Sequence, residues 1–404
     1  MIKFGTDGIR GPAGQAPLDE ETLTQLGCAF ALSLSPEDSV IIGRDTRVSG
    51  PWIESALTKG LMTGGVNVIH AGVLPTGALS IAVADTSAAM GIMITASHNP
   101  AEDNGIKILN ASGHKPSKAE QSKLLSNYGK PSKRTMGKST SLTREKACKA
   151  WTDSLPKPSL KGLKILLDCA HGAAAPHASR ILRQLGADVE EFACEADGEK
   201  INLDCGALHL PKSIGSNALA ICFDGDADRL VMVDQNGIID GDDMLWIMSQ
   251  DVEGPLVGTI MSNGGLEEKL AGRLKRSPVG DSHVAELMRK ECAQMGAEPS
   301  GHVLFTDGLP TGDGLYTALR ILATAKPPFD RNWTRWPCMQ ASICHTKDKV
   351  PVSDFFTPDQ ARSAGQRVIV RYSGTEPKLR ILVEGPEASH WLKLIVQEAE
   401  SVLL

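Results

Sequence analysis

The chain has 404 residues, which is enough for about two to four domains and excludes a single small module. Lys and Arg number 42 against 48 Asp and Glu, and the net charge of −6 argues against nucleic acid or an anionic membrane as the partner. The chain has no apolar run of about 18–20 residues and no apolar leader, and its nine cysteines never form a C-x-x-C pair. We therefore expect a soluble, cytoplasmic protein with reduced thiols, and neither a disulfide framework nor a zinc ribbon.

The first third of the chain alternates short β-branched runs with helical patterns. Strands are predicted at residues 39–43, 66–69 and 90–94, and a helix at residues 52–62 lies between the first two strands. Residues 115–141 are rich in Lys and Ser and are predicted as an exposed helix and connection. This alternation is typical of βαβ units and predicts an α/β fold.

The same alternation starts again twice further along the chain. A second unit has strands at residues 163–168 and 219–223 with a helix at residues 175–185 between them. The predicted elements of the third unit are strands near residues 238–239 and at 256–261, and helices at 265–274 and 284–292.

A Pro-Pro run predicts the boundary of a last unit. Residues 326–330 cannot continue a helix, so we interpret them as a linker. Strands near residues 368–370 and 380–383 and a helix at residues 390–403 follow it. The four predicted domains are residues 1–140, 141–238, 239–328 and 329–404.

A serine follows the predicted strand at residues 90–94, in the run Thr-Ala-Ser-His-Asn-Pro at 95–100, here named the serine loop. The carboxyl end of a strand is where open α/β sheets bind ligands. His98, and Lys107 ten residues after Ser97, would supply a base or a positive charge for a phosphorylated hydroxyl. The alternative is a capping turn in which Pro100 begins the next helix.

Three carboxylates at alternate positions follow the strand at residues 219–223. Asp224, Asp226 and Asp228 lie in the run Asp-Gly-Asp-Ala-Asp-Arg at 224–229, here named the aspartate loop. One tight turn can direct three such hard oxygen ligands toward one cation, and Mg²⁺ fits better than a closed calcium cage. A solvated acidic turn is the alternative.

Two further loops carry polar residues suited to a phosphorylated sugar. Glu298, Ser300 and His302 point the same way from an extended 297–302 loop, which suits recognition of hydroxyls, with a surface turn as the alternative. Residues 371–380, here named the phosphate clamp, place two arginines beside hydroxyls and a glycine, although a salt-bridged turn remains open.

Other basic residues lie near the start of the chain. Arg10 lies in a run bracketed by glycines at residues 5–11. Arg44, Asp45 and Arg47 follow the first predicted strand, and we interpret them as an ion-pair network.

Loops from four units imply one central cleft that holds a hydroxyl able to carry a phosphoryl group, a metal, and sites for sugar hydroxyls and phosphate. In their order along nearly the whole chain, the serine loop, the aspartate loop and the phosphate clamp resemble those of the α-D-phosphohexomutase superfamily. Within it, the bacterial phosphoglucosamine mutases are the most similar family. The runs that carry this closer resemblance are residues 4–11, 201–206, 261–263 and 311–314.

The resemblance implies a heart-shaped protein of three similar α/β domains with mixed sheets and a smaller C-terminal α+β domain. It implies an isomerase that interconverts glucosamine 6-phosphate and glucosamine 1-phosphate for amino-sugar nucleotide and cell-wall synthesis. Phosphorylated Ser97 would be the active form, with a bisphosphorylated sugar as intermediate. One Mg²⁺ per chain is implied, as is priming of Ser97 by a sugar 1,6-bisphosphate or a kinase. A homodimer is an expectation of the family only.

By the same resemblance each candidate residue has a role, with the division of acid and base between Lys107 and His302 left open. The implied catalytic residues are Ser97, Lys107, His302, Arg10 and Arg229. The implied metal ligands are Ser97, Asp224, Asp226 and Asp228. The implied substrate-binding residues are His98, Glu298, Ser300, Arg371, Ser373, Gly374, Thr375 and Arg380.

Three residues depart from the pattern of that family. Pro299 stands in the variable place of the 297–302 loop, and Ser282 and His283 stand where the family usually carries Arg-Tyr. The sequence therefore predicts the reaction more strongly than the sugar. Phosphomannomutase or phosphoglucomutase activity by the same mechanism is the alternative, followed by a catalytically silent protein that binds sugar phosphates.

Overall fold

Four sheets follow one another along the chain in the computed structural model, which describes residues 2, 4–5, 8–212, 214–345, 350–373 and 378–403. The first three sheets mix parallel and antiparallel strands, and the fourth is antiparallel throughout. The α/β fold class predicted from the sequence is thus confirmed. Among these residues, no helix combines the length and the apolar character needed to span a membrane.

The first unit has a six-stranded sheet with the strand order β1-β5-β4-β2-β3-β6. Its strands are β1 (Ile9–Pro12), β2 (Ser39–Arg44), β3 (Asn67–Val73), β4 (Met90–Ile94), β5 (Asp103–Asn110) and β6 (Ser139–Ser141). Its helices are α1 (Glu20–Leu32), α2 (Gly50–Thr63), α3 (Thr76–Asp85) and α4 (Lys118–Leu125). The predicted connection at residues 115–141 contains α4, but it ends in an edge strand, because the backbone of β6 pairs in parallel with β3 although its side chains are exposed.

The second unit follows α5 (Arg144–Ser154) and has the strand order β11-β10-β9-β7-β8. Its elements are β7 (Lys164–Asp168), α6 (Ala178–Gln184), β8 (Asp188–Phe192), β9 (Ala218–Phe223), β10 (Leu230–Asp234) and β11 (Gly237–Ile239). The strands β9 and β10 pair antiparallel, with Phe223 opposite Leu230. The aspartate loop is therefore the tight connection of a buried hairpin.

The third unit has a four-stranded sheet with the order β13-β12-β14-β15. Its strands are β12 (Leu256–Thr259), β13 (Leu274–Ser277), β14 (Met295–Ala297) and β15 (Val303–Phe305), and its helices are α7 (Gly241–Met248), α8 (Gly264–Lys269), α9 (Asp281–Glu291) and α10 (Gly314–Thr324). The strand predicted near residues 238–239 as the start of this unit belongs instead to the second sheet, as β11. The helix predicted at residues 265–274 is wrong in its second half. Ala271 and Gly272 adopt positive φ angles of 47° and 87°, which ends the helix, and Leu274 pairs with Leu256 in the sheet.

The last unit is a three-stranded antiparallel sheet covered by two helices. Its elements are β16 (Cys338–Cys344), α11 (Thr357–Ser363), β17 (Arg367–Tyr372), β18 (Lys378–Glu384) and α12 (Ala388–Leu403). The strand β18 lies in the centre of the sheet. It pairs with β17 in continuous antiparallel register, from Arg367 opposite Glu384 to Tyr372 opposite Leu379.

A buried tryptophan connects the units. Trp151 on α5 is fully buried in a hydrophobic cluster that contains side chains from the first three units. Its indole N–H donates to Asp313 Oδ2 at 2.8 Å, and Asp313 caps the N-terminus of α10. Burial raises the pKa of Asp313 to about 6, so this carboxylate depends on its few hydrogen-bond donors.

We expect Trp151→Phe to leave the buried Asp313 without its indole donor and to leave a small cavity where the larger indole packs. The free energy of unfolding should fall by about 1–3 kcal/mol, measured as a shift in thermal denaturation. Trp391→Phe is the matched control, because the Trp391 indole donates to Glu387 at 3.3 Å in an exposed contact. Its effect should stay below about 0.5 kcal/mol, and equal losses in both variants would contradict the account.

Candidate functional site

The serine loop begins where β4 ends and places Ser97 in a buried, left-handed conformation. Ser97 has a φ of 54° and no exposed surface. A residue other than glycine adopts this conformation only where its surroundings impose it. The backbone N–H of Ser97 donates to Thr95 Oγ1 at 2.8 Å, and Thr95 in turn donates to Asp45 Oδ2 at 2.6 Å.

A buried arginine holds the serine loop in this shape. The guanidinium of Arg47 is fully buried, pairs with Asp45 at 3.0 Å and donates to four backbone carbonyls. Those carbonyls belong to Ser97, Asn99, Pro100 and Asp103. From the second unit, Asn202 Nδ2 also donates to the Ser97 carbonyl, at 2.9 Å. The predicted ion pair of Asp45 with Arg47 is present, but sequence reasoning missed its role, which is to support the serine loop.

The aspartate loop faces Ser97 from the second unit. Its three carboxylates are buried, with exposed fractions of 1% for Asp224, 0% for Asp226 and 4% for Asp228. One oxygen of each lies within 4.8 Å of the others. Gly225 allows the close approach, because a Cβ there would lie 2.6 Å from the Ser97 carbonyl oxygen. The Ser97 hydroxyl donates to Asp224 Oδ2 at 2.5 Å.

Cations surround these carboxylates. Lys107 on β5 is 5% exposed, and its Nζ lies 2.6 Å from Asp226 Oδ2 and 2.7 Å from Asp228 Oδ2. Arg229 Nε lies 3.9 Å from both Asp224 and Asp228. Burial and the neighbouring carboxylates raise the pKa of Asp224 to about 7. Burial would also raise the pKa of Asp228, but Lys107, His302 and Arg229 together hold it well below its usual range.

The three aspartates suit a metal ion. Asp226 Oδ1 and Asp228 Oδ1 are buried and have no hydrogen-bond partner among the described residues. Buried carboxylate oxygens of this kind are strongly destabilising unless a cation binds them. A compact set of carboxylate oxygens is also the donor chemistry that hard divalent cations prefer. The cluster is therefore a candidate metal-binding site.

The third unit contributes a histidine to the same cluster. Residues Arg229 and His302 form an antiparallel bridge, and His302 Nδ1 lies 3.7 Å from Asp228 Oδ2. On the other side, His302 Nε2 lies 4.0 Å from Asp281 Oδ2. Burial lowers the pKa of His302, but the carboxylates of Asp228, Asp281 and Glu298 outweigh burial and raise it to about 9. The surrounding carboxylates thus favour the charged form of His302.

The rest of the 297–302 loop is more open. Glu298 Oε1 accepts from the backbone N–H of Gly280 at 2.9 Å, and Ser300 is exposed. Of the departures from the family pattern, Pro299 and Ser282 are half-buried, and His283 Nδ1 is a buried atom without a hydrogen-bond partner in the described chain.

The phosphate clamp lies at one end of the hairpin of β17 and β18. Arg371 and Arg380 stand directly opposite each other across the two strands. Burial and the charge of Arg380 lower the pKa of Arg371. Two facing guanidinium groups favour an anion between them. Ser373 follows β17, whereas Gly374 and Thr375 lie outside the described residues.

Two of the predicted residues lie beside Ser97 or along its sheet. His98 Nδ1 is 3.4 Å from Ser97 Oγ. Arg10 lies on β1 opposite Gly105 of β5, the strand that carries Lys107. The structure thus brings Ser97, Lys107 and the aspartate loop together with Arg229 and His302. One neighbour was missed: Thr76, whose hydroxyl donates to Asp226 Oδ2 at 2.5 Å from the start of α3.

In a comparison with known proteins, four domain models of one family match successive parts of the chain. Phosphoglucomutase/phosphomannomutase alpha/beta/alpha domains I, II and III match residues 1–135, 147–237 and 240–331, and the C-terminal domain of that family matches residues 362–401. The phosphoglucosamine mutase of Alkalilimnicola ehrlichii is 38% identical, over 95% of this chain and 93% of its own. That of Deinococcus deserti is 39% identical, over 96% and 94%. A phosphoglucomutase/phosphomannomutase family protein from Burkholderia thailandensis shares the fold with a TM-score of 0.78 and 22% identity, covering 99% of this chain and 98% of that one.

We expect Asp226→Asn to weaken binding of a divalent cation at least about tenfold, because it removes a charged oxygen from the buried set. Calorimetric titration with Mn²⁺ measures this affinity. Asp188→Asn changes an exposed aspartate of the same unit and should leave the affinity unchanged. Equal Mn²⁺ affinities in the wild type and Asp226→Asn would contradict the assignment of the metal site.

Proposed function

The chain belongs to the phosphoglucomutase/phosphomannomutase family, and we propose that it is a phosphoglucosamine mutase, an isomerase that interconverts glucosamine 6-phosphate and glucosamine 1-phosphate. Several relatives of 35–39% identity that carry this name support the sugar. The observation that carries the chemistry is the contact of the Ser97 hydroxyl with Asp224 at the edge of the buried aspartate cluster.

Phosphorylated Ser97 transfers its phosphoryl group to the free hydroxyl of the sugar phosphate, which gives a bisphosphorylated sugar and a free serine. The intermediate turns around in the cleft, and its other phosphate returns to Ser97. The left-handed serine loop supports this reaction because Arg47 and Asn202 both donate to the Ser97 carbonyl and so fix the backbone that carries the oxygen that gives and takes the phosphoryl group.

The charge around Ser97 calls for a cation. A phosphate on Ser97 adds a charge of about −1.5 to −2 next to three carboxylates. We propose that Asp224, Asp226 and Asp228, together with the phosphorylated Ser97, would hold one Mg²⁺, which when bound neutralises negative charge on the transferring phosphoryl group. Lys107 and Arg229 supply further positive charge from the chain itself.

Proton transfer falls to Lys107 and His302, both of which are buried within contact of Asp228. The residue that acts as the base must first give up its own proton before it takes that of the attacking hydroxyl, and the other, still protonated, returns a proton to the departing oxygen. Arg10 adds positive charge from β1, and His98 lies next to Ser97 Oγ. The aspartates that contact Lys107 and His302 keep these two side chains close to the phosphoryl group, where negative charge develops during transfer.

The substrate is held at its two ends. Glu298 and Ser300 bind sugar hydroxyls, while Arg371, Ser373 and Arg380, with Gly374 and Thr375, bind the phosphate that does not react. A pair of facing arginines supports this assignment, because a phosphate accepts hydrogen bonds from two parallel N–H groups of a guanidinium.

The proposal has three further parts. They are a cytoplasmic location, priming of Ser97 by a sugar 1,6-bisphosphate or a kinase, and a homodimer.

We expect Ser97→Ala to lower the turnover of glucosamine 6-phosphate by about 10⁴-fold or more, because it removes the only oxygen that carries the phosphoryl group. Turnover is measured with Mg²⁺ and glucose 1,6-bisphosphate, and circular dichroism checks the fold. Ser112→Ala changes an exposed serine of the same unit and should retain full activity.

Turnover of glucose 1-phosphate and mannose 1-phosphate by the wild type completes this experiment. Wild-type turnover in Ser97→Ala would contradict the mechanism. Faster turnover of glucose or mannose phosphates than of glucosamine 6-phosphate would contradict the proposed sugar.

A further inference from the structure

The Met-Ser-Asn run at residues 261–263 contributes to the family resemblance but has no part in the proposed chemistry. It forms the loop between β12 and α8, in the third unit. In the structure the linker into the last unit is longer than the predicted one and spans residues 325–337, between α10 and β16. The 261–263 loop contacts both this linker and the end of β18. It is therefore a candidate for controlling where the last unit lies.

Asn263 binds the linker through both atoms of its side-chain amide. Its Oδ1 accepts from the backbone N–H of Trp336 at 2.9 Å, and its Nδ2 donates to the backbone carbonyl of Trp336 at 3.1 Å. The indole of Trp336 packs so closely on Gly264 that a Cβ there would lie 2.6 Å from the ring. Asn263 is 3% exposed, and its own N–H donates to the buried Asp242 carboxylate at 2.8 Å.

The same amide also reaches the last unit. Asn263 Nδ2 donates to Glu384 Oε1 at 3.3 Å, and the backbone N–H of Gly264 donates to Glu384 Oε2 at 3.1 Å. Glu384 is 1% exposed, and its charge is balanced by Arg367 at 2.6 Å. The guanidinium of Arg367 in turn donates to the carbonyls of Ile260 at 2.7 Å and Ser262 at 2.8 Å. These contacts make a buried polar joint between the third unit and the last.

The joint lies at the opposite end of a two-stranded ladder from the phosphate clamp. Arg367 pairs with Glu384 at the base of the hairpin, and Arg371 pairs with Arg380 four residues further along. Four residues of strand span about 13 Å. Because the ladder is hydrogen-bonded in continuous register between these pairs, a shift or tilt at its base moves the two arginines with it.

We propose that Asn263 and Glu384 are positioning residues that seat the base of this hairpin on the third unit and so set the position of the phosphate clamp. The proposal rests on the proposed function for its substrate and for the role of the phosphate clamp. It differs from a role for Asn263 as a helix cap, which needs only Oδ1 as acceptor for the N–H of Gly265, at 3.0 Å.

Asn263→Asp separates the two roles. The variant keeps the acceptor for the N–H groups of Gly265 and Trp336. It loses the donor to Glu384 and to the Trp336 carbonyl, and it places a second carboxylate against that of Glu384. We expect KM for glucosamine 6-phosphate to rise about tenfold while kcat stays within about threefold, because the clamp holds the phosphate equally in the ground and transition states. Amide hydrogen exchange at Gly264 and across residues 378–384 should become faster.

Glu384→Gln tests the partner and offers a rescue. Alone, it places an amide NH₂ against that of Asn263 and removes the negative charge that balances Arg367, and we expect a similar rise in KM. Combined with Asn263→Asp, the new amide donates to the new carboxylate, while its oxygen still accepts from Gly264. The double variant should therefore return KM to within about threefold of the wild type. Asn332→Asp makes the same chemical change at an exposed position of the linker and serves as the control.

An unchanged KM in Asn263→Asp would mean that Asn263 acts only as a helix cap, and it would overturn the proposal. A decrease in kcat without a rise in KM would also overturn it, as would an equal rise in KM in Asn332→Asp. Failure of the double variant to recover would overturn the pairing of Asn263 with Glu384. If the wild type does not turn over glucosamine 6-phosphate, the proposed function fails, and hydrogen exchange decides the joint on its own: unchanged exchange at Gly264 and residues 378–384 overturns it.

Discussion

Three carboxylates buried within a few ångströms of one another are the constraint on which this structure depends. The negative charges of Asp224, Asp226 and Asp228 repel one another, and because the three residues are buried, water does not screen this repulsion. Such a cluster persists only where cations compensate its charge. Lys107 comes from the first unit and His302 from the third, so the compensation itself draws the units together. The negative charge that destabilises the folded site also suits it to a metal ion, and the cations that compensate this charge suit it to a phosphoryl group.

A second constraint lies in the serine loop. Ser97 takes a left-handed conformation that a serine seldom adopts. The buried guanidinium of Arg47 accounts for it by binding three carbonyls of the loop and that of Asp103 at the start of β5. Asn202 adds support from the second unit. The buried polar groups around the serine loop thus serve geometry, and the backbone that carries the reacting oxygen is held by contacts that do not depend on the substrate.

The sequence predicts the chemistry better than the supporting structure. The spacing of Asp224, Asp226 and Asp228 after a buried strand indicates that the aspartate loop is a candidate metal site, because a tight turn directs alternate carboxylates toward one point. The role of Arg47 could not be predicted, since its carbonyl partners depend on tertiary packing. The helix predicted at residues 265–274 is wrong beyond Lys269, because pairing with β12 at Leu274 outweighs helical propensity. Asn263 likewise acts across units that only the fold brings together.

The most direct test of the account is a single-turnover experiment with ³²P on Ser97. Purified phosphoprotein is mixed with glucosamine 6-phosphate and Mg²⁺, and the label is followed in protein, sugar and inorganic phosphate. The account predicts that the label passes from Ser97 to the sugar as the bisphosphate and the product form, with little inorganic phosphate. Label that stays on the protein, or leaves mainly as inorganic phosphate, would contradict it.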